Sequence, residues 1–297
     1  MSTKIKHIVI GSGGPLLLNM YGAMKQSNLS KLWSHATVES YYGTSAGAVL
    51  STMMALKYDW EELDNYLINR PWHTILNFNV LNIYDYYLNN GTTDANFIYS
   101  MFGPLLKAKD IDMNVDMETF RKITGVALYI YATEFSSLNA KEFSADATPR
   151  AKLLDVIYAS MAVPILFKPI KIEGELYFDG CIFLHYPMIK CLEKNKDCET
   201  ILGIVYKENK QNETVVDDDL NMFGYITNIL SRLISKIQLD KTQDYSSINV
   251  LEIKIFADPE EKNNFFKLAN TSEGRKQAVE QGCEDALIVC NRLNKTD

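Results

Sequence analysis

Histidine, cysteine and proline are all scarce: the 297 residues include four, five and eight of them, respectively. The histidines, His7, His35, His73 and His185, offer few bases of the usual kind, and none stands in a setting typical of one. Cys181, Cys191, Cys198, Cys283 and Cys290 are an odd number with no C-x-x-C spacing. That argues against a disulfide framework and a zinc site, and for free thiols in a reducing compartment. No proline-rich linker, internal repeat or low-complexity tract marks a boundary, so residues 1–297 are expected to form a single domain. No apolar run approaches the roughly 20 residues of a membrane-spanning helix. Met1 to Lys6 reach the first strand-like run too soon for a secretory signal, so a cytoplasmic protein is expected, peripheral at membranes if it meets them. A net charge of −7 disfavours nucleic acid and standing attachment to anionic lipid, leaving transient or apolar membrane contact. Gly11 to Gly14 lack both the G-x-G-x-x-G spacing and a P-loop lysine, and no metal-ligand cluster stands out. No cofactor and no metal are expected.

What is present is an alternation of strand-like and helix-like runs. Ile5 to Ile10, Thr37 to Tyr42, Val126 to Thr133, Ile201 to Tyr206 and Val250 to Phe256 read as strands. Leu16 to Lys25, Ala46 to Lys57, Leu153 to Met161 and Ser272 to Leu293 read as helices. This order predicts an α/β fold with a mostly parallel central sheet covered by helices on both faces. Any site is then expected at the carboxyl ends of the strands.

One motif sits where this alternation gives it meaning. Gly43, Thr44, Ser45, Ala46 and Gly47 form G-x-S-x-G between a strand-like and a helix-like run. A serine on a sharp strand-to-helix turn projects its hydroxyl outward, and small neighbours leave room for the turn and the substrate. The plain alternative is a helix N-cap. A nucleophilic serine needs a base and a means of holding an oxyanion. Of the histidines only His185 lies near a second motif, six residues after Asp179. Asp179 is the better candidate, although Asp-Gly is more often a plain turn.

Three ordered segments resemble the patatin-like phospholipases. They are the Gly43 to Gly47 elbow, the stretch Ala159-Ser160-Met161-Ala162-Val163-Pro164 with Phe167 and Pro169, and the block from Asp179 and Gly180 to Tyr186 and Pro187. A fourth, Ser12, Gly13 and Gly14 after Ile8 to Ile10, resembles the family's glycine-rich oxyanion loop, which usually has three glycines. The resemblance implies a Ser–Asp dyad of Ser45 and Asp179 without a catalytic histidine, with an oxyanion hole at Ser12 to Gly14. It also implies a lipid acyl-ester hydrolase of phospholipase A or lysophospholipase type, acting on phospholipid or another lipid ester. Leu16 stands where the family usually has a cation, Cys181 where it has a second glycine, and Leu184 and His185 where asparagines are common. These departures keep open a weakly active or inactive member that binds lipid or a partner.

Two further stretches bear on the substrate. An aromatic-rich or helical insertion is expected near 58–120, with the rings of Trp72 to Leu106 packed inward and Asn82 to Asn90 as a conceivable cover. Phe223, Ile226, Leu230, Leu233 and Ile237 recur at helical spacing; such a face can lie on a bilayer or against a partner, and its simplest role is to cover the sheet.

Overall fold

The computed structural model describes residues 4–72, 95–207, 222–241, 248, 250–256 and 271–293. The strands are β1 (His7–Ile10), β2 (Ser40–Thr44), β3 (Ala127–Glu134), β4 (Ala140–Phe143), β5 (Ile170–Ile172), β6 (Glu175–Asp179), β7 (Ile201–Lys207) and β8 (Leu251–Phe256). The helices are α1 (Leu17–Leu29), α2 (Ala46–Ala55), α3 (Trp60–Asp64), α4 (Asn96–Ala108), α5 (Met117–Thr124), α6 (Leu153–Met161), α7 (Met188–Lys194), α8 (Met222–Lys241) and α9 (Ser272–Leu293).

All eight strands join one sheet of order β5-β6-β3-β2-β1-β7-β8, with β4 paired to β3. β3, β2, β1, β7 and β8 run parallel, while β4, β5 and β6 form an antiparallel margin. The sheet is therefore mostly parallel, as expected. Its order reverses at β1, where successive connections leave in opposite directions, the position at which open α/β sheets bind ligands beyond the carboxyl ends.

Alternate side chains of the strands serve two cores. Ile8 and Ile10 join the larger, with residues of α1, α2, α4, α6 and α9, whereas Val9 faces Tyr42, Tyr129, Tyr131 and α7's Met188 and Cys191. Helices thus cover both faces. Every residue of α2 is buried, and its Thr52 hydroxyl returns to the carbonyl of Ala48 at 2.9 Å, so the polar group enters the core satisfied.

The second strand is displaced from its expected span. It runs over Ser40–Thr44 rather than Thr37 to Tyr42, because Gly43 takes part in the ladder opposite Ile10 and Ile130 instead of ending it. The strand therefore runs straight into Ser45 without a spacer. β4 and the β5–β6 hairpin have little signature in the sequence: each is short, and only Glu175 to Phe178 reads as a strand end.

Between α2 and β3 the described chain is helical, with α3, a π-turn over Asn65–Asn69, α4 and α5. Trp72, Phe97 and Phe102 are buried there. Asn82 to Asn90 lie outside the described residues. α5 is delimited by its own residues: the Asp116 side chain accepts the Thr119 N–H, and Gly125 closes the helix at φ 72°.

On the expected apolar face of α8, Ile226 and Leu233 are exposed while Leu230 and Ile237 are half-buried, so the face is covered only in part. The helix lies against the Gly180–Ile182 turn that follows Asp179.

Candidate active site

Sheet register brings two distant segments together. Tyr131 and Ala132, consecutive on β3, pair with Thr44 of β2 and Asp179 of β6. The residue after Thr44 is Ser45, so the end of β2 and the end of β6 meet over one point of β3. Ser45 Oγ donates to Asp179 Oδ2 at 2.8 Å across 134 residues of sequence.

The turn at Ser45 is sharp and strained. Its backbone has φ 57° and ψ −120°, a region that residues with a Cβ rarely occupy. α2 starts at once, with the carbonyl of Ser45 accepting the N–H of Ala48 at 2.9 Å. Gly47 permits this close passage: a Cβ there would lie 2.1 Å from the carbonyl oxygen of Ile10, and one at Gly43 would lie 2.5 Å from that of Gly47.

Two further residues hold the turn. Ser45's N–H donates to Ser160 Oγ at 2.8 Å, and Ser160 Oγ in turn donates to the carbonyl of Tyr131 at 2.6 Å. Ala162, two residues on, accepts the N–H of Asp179 at 3.0 Å. The Ala159 to Pro164 stretch therefore supports both the serine and the aspartate. The sequence marks this segment, but nothing local in it reveals what the Ser160 hydroxyl does.

Asp179 is fully buried, and each of its polar groups has a partner. Oδ1 accepts the Cys181 N–H at 2.7 Å, Oδ2 the Ser45 hydroxyl, and the main-chain carbonyl the Thr133 hydroxyl at 2.9 Å. Burial pushes the carboxyl up to about 6, and the hydrogen bonds from Cys181 and Ser45 pull the other way. The result is a better base than a solvated aspartate, still largely ionised at neutral pH. Cys181 does not crowd this turn. It is not among the positive-φ residues, so its position tolerates a Cβ, and burial raises its thiol far above the range in which it would ionise.

None of the described histidines reaches Ser45. His7 pairs with Ser40 Oγ at 2.8 Å, and burial lowers its basicity. His35 packs against Trp33 and Trp60 and is held down to about 4, first by desolvation and then by Lys57. His185, the candidate for a triad, hydrogen-bonds through Nδ1 to Ser12 Oγ instead. His73 lies outside the described residues.

The glycine loop leaves the carboxyl end of β1. Ser12's N–H donates to the carbonyl of His185 at 2.8 Å. It is therefore already committed, and Gly13 and Gly14 follow it at the start of the Gly14–Leu16 turn. An open cleft of about 680 Å³ lies at the opposite, amino ends of the central strands, lined by Lys6, His35, Glu39, Lys57 and Arg121 among others. It is remote from Ser45. Among the described residues no cluster of His, Cys, Asp or Glu could hold a metal ion.

The profile of the patatin-like phospholipases matches residues 8–188, a span that starts within β1 and includes Ser45, Ser160 and Asp179. The chain belongs to the patatin-like phospholipase family. This patatin-like protein is 21% identical over 211 residues to R571, an uncharacterized protein of Acanthamoeba polyphaga mimivirus, covering 71% of this chain and 68% of that one. It is 22% identical over 184 residues to 463L of Invertebrate iridescent virus 6, described as a probable lipid hydrolase, with coverage of 58% and 63%. The match spans under two thirds of the 463L chain. Among solved structures, VipD from Legionella pneumophila superimposes with a TM-score of 0.54 at 16% identity, over 97% of this chain and 67% of that one. At that identity the likeness is one of fold. No helix among the described residues is long and apolar enough to cross a membrane.

Proposed function

We propose that this patatin-like protein is a lipid acyl-ester hydrolase, of phospholipase A or lysophospholipase type, working through a Ser45–Asp179 dyad. The observation that carries the reading is the 2.8 Å bond from Ser45 Oγ to a carboxylate of raised basicity, at a strained strand-to-helix turn. Asp179 Oδ2 takes the proton of Ser45 as Oγ attacks the ester carbonyl carbon. The N–H groups of Gly13 and Gly14 receive the developing oxyanion. The tetrahedral species collapses by breaking the bond to the alcohol, which leaves with the proton held by Asp179. Water then attacks the acyl-enzyme, Asp179 takes its proton, and Ser45 Oγ leaves the tetrahedral species with that proton as the fatty acid departs.

Exposed apolar residues at the site's end of the sheet support a lipid substrate met at a surface. Phe135 and Leu138, in the turn after β3, are 61% and 52% exposed, and on α8 Tyr225 and Leu233 are 59% and 56% exposed. One group extends β3 about 10 Å beyond the Asp179 pairing; the other is carried by the helix that lies against the turn following Asp179. Transient, apolar contact with a membrane agrees with a chain of net charge −7, which anionic lipid would not hold by charge alone.

The test is fatty-acid release from a panel of phospholipids and neutral lipid esters by wild type, Ser45→Ala and Asp179→Ala, each checked for folding. Release by the wild type that disappears in both variants supports the dyad, and the preferred lipid defines the substrate. Hydrolysis retained by Ser45→Ala sinks the assignment. A wild type that neither hydrolyses any lipid nor reacts at Ser45 with a fluorophosphonate would favour a lipid-binding member of the family instead.

A further inference from the structure

Two of this chain's departures from its family's motifs touch each other. Ser12 replaces a glycine of the loop, and His185 stands where asparagine is common. Although 173 residues apart, they share a hydrogen bond between Ser12 Oγ and His185 Nδ1, and a second runs from the Ser12 N–H to the His185 carbonyl at 2.8 Å. One bond fixes the backbone of Ser12 and the other its side chain, so together they restrict both its position and its rotation.

The clamp continues to the base. The N–H groups of Phe183 and Leu184 donate to the Gly180 carbonyl at 3.3 and 2.9 Å, and the Cys181 N–H donates to Asp179 Oδ1 at 2.7 Å. A continuous hydrogen-bonded turn therefore links Asp179 to His185, and His185 links that turn to the loop. The loop needs such an anchor. Gly13 and Gly14 are adjacent residues without a Cβ, Gly14 stands at φ 47°, and only a short turn follows before α1. Glycines lose more conformational freedom on ordering than other residues, and an oxyanion donor misplaced by about 1 Å costs about a hundredfold in rate.

We propose that His185 is the positioning residue of the glycine loop, its ring holding the Gly13 and Gly14 N–H groups in register with Ser45 and Asp179 through the bond to Ser12 Oγ, which locks what the main-chain bond alone leaves loose. The inference rests on the dyad reading above. It assigns His185 no proton transfer to substrate. A neutral ring accepts the Ser12 hydroxyl at Nδ1, and a protonated ring donates from Nδ1 to Ser12 Oγ, so the contact persists in either state.

The experiment compares His185→Ala, Ser12→Ala, the double variant and His185→Asn, reading kcat and KM on a soluble ester and amide hydrogen exchange of the 11–16 peptide. His185→Ala is expected to lower kcat about tenfold or more with KM within about twofold, and to speed exchange at 11–16 while β7 and β8 stay protected. The double variant should be no worse than His185→Ala, since both changes remove the same contact. His185→Asn, whose amide can still reach Ser12, should recover to within about threefold of wild type. Unchanged exchange in His185→Ala overturns the clamp. Faster exchange with unaltered kcat overturns the positioning role, as does a double variant whose loss is the product of the two single losses. If the wild type neither hydrolyses esters nor labels at Ser45, the hydrolase reading and the effect of His185 on rate fall together. The exchange comparison then still decides the clamp, because it can be run on a Ser45→Ala background.

Discussion

Ser160 Oγ accepts the backbone N–H of Ser45 at 2.8 Å. The same hydroxyl donates to the carbonyl of Tyr131, so a single buried oxygen ties the turn before α2 to the middle of β3. Of the two serines, one presents its hydroxyl to Asp179 and the other presents its hydroxyl to the first one's backbone.

Replacing Ser160 by Ala should therefore harm both stability and rate. The change leaves the Ser45 N–H and the Tyr131 carbonyl without this partner in a dry site, at a cost of about 2 kcal/mol. Denaturant unfolding should show that loss. The value of kcat should fall about tenfold, because the strained backbone at Ser45 is no longer held. Wild-type kcat in a folded Ser160→Ala protein would show that the bond supports the fold alone.

The raised carboxyl of Asp179 predicts opposite effects on activity and stability. As a base Asp179 must be ionised, so kcat/KM should rise with pH through about 6 and then level off. For stability the sign reverses. Because the folded-state pKa lies above the ordinary aspartate value of 3.8, the native protein binds the extra proton more tightly, and stability falls as pH rises from about 4 through about 6. At pH 8 the buried charge then costs about 3 kcal/mol. Asp179→Asn removes that charge, so it should be inactive yet gain stability relative to wild type at pH 8, with the gain shrinking towards pH 4. Chemical denaturation of both proteins across that range measures it. An equal difference at pH 4 and pH 8 would contradict the raised pKa.

The exposed residues near the site predict a selective loss on lipid surfaces. Phe135→Ser with Leu138→Ser, or Ile229→Asp with Leu233→Asp, removes apolar area that burial in a bilayer would stabilise by about 1 kcal/mol per side chain or more. Hydrolysis of vesicle phospholipid should drop about tenfold or more, while turnover of a short-chain ester below its micellar concentration stays within about twofold. Equal losses on both substrates would point to damage of the site instead.

Gly47 should tolerate no side chain. A Cβ would approach the carbonyl oxygens of Ile10 and Gly11 to 2.1 and 2.6 Å, and both contacts are backbone that cannot rotate away. Gly47→Ala is expected to destabilise by about 3 kcal/mol or more and to disrupt Ser45. A normal melting temperature in this variant would mean that α2 can shift away from the end of β1.

The helices Leu153–Met161 and Ser272–Leu293 have the bounds that their sequence periodicity predicts, and four of the five parallel strands, β1, β3, β7 and β8, fall close to their apolar runs. These features are readable because helical and strand periods are local. The elbow and the Asp-Gly turn are local too, as are the small residues they require. The span of β2 departs from its apolar run for a nonlocal reason: Gly43 looks like a terminator until Ile10 and Ile130 pair on either side of it. For α8 too, periodicity shows that the helix has an apolar face but not what that face meets.

By itself the sequence determined the alternation of elements, the presence of a serine at a strand-to-helix turn, and the set of acids and histidines available to it. Only the tertiary structure decided among them. Tyr131 and Ala132 align the ends of β2 and β6, and this alignment gives Ser45 to Asp179, while His185, in the turn beyond β6, meets Ser12 beyond β1. The physical reason is separation along the chain. Contacts across more than a hundred residues depend on strand order and register, which arise from burying whole faces of the sheet rather than from any short segment.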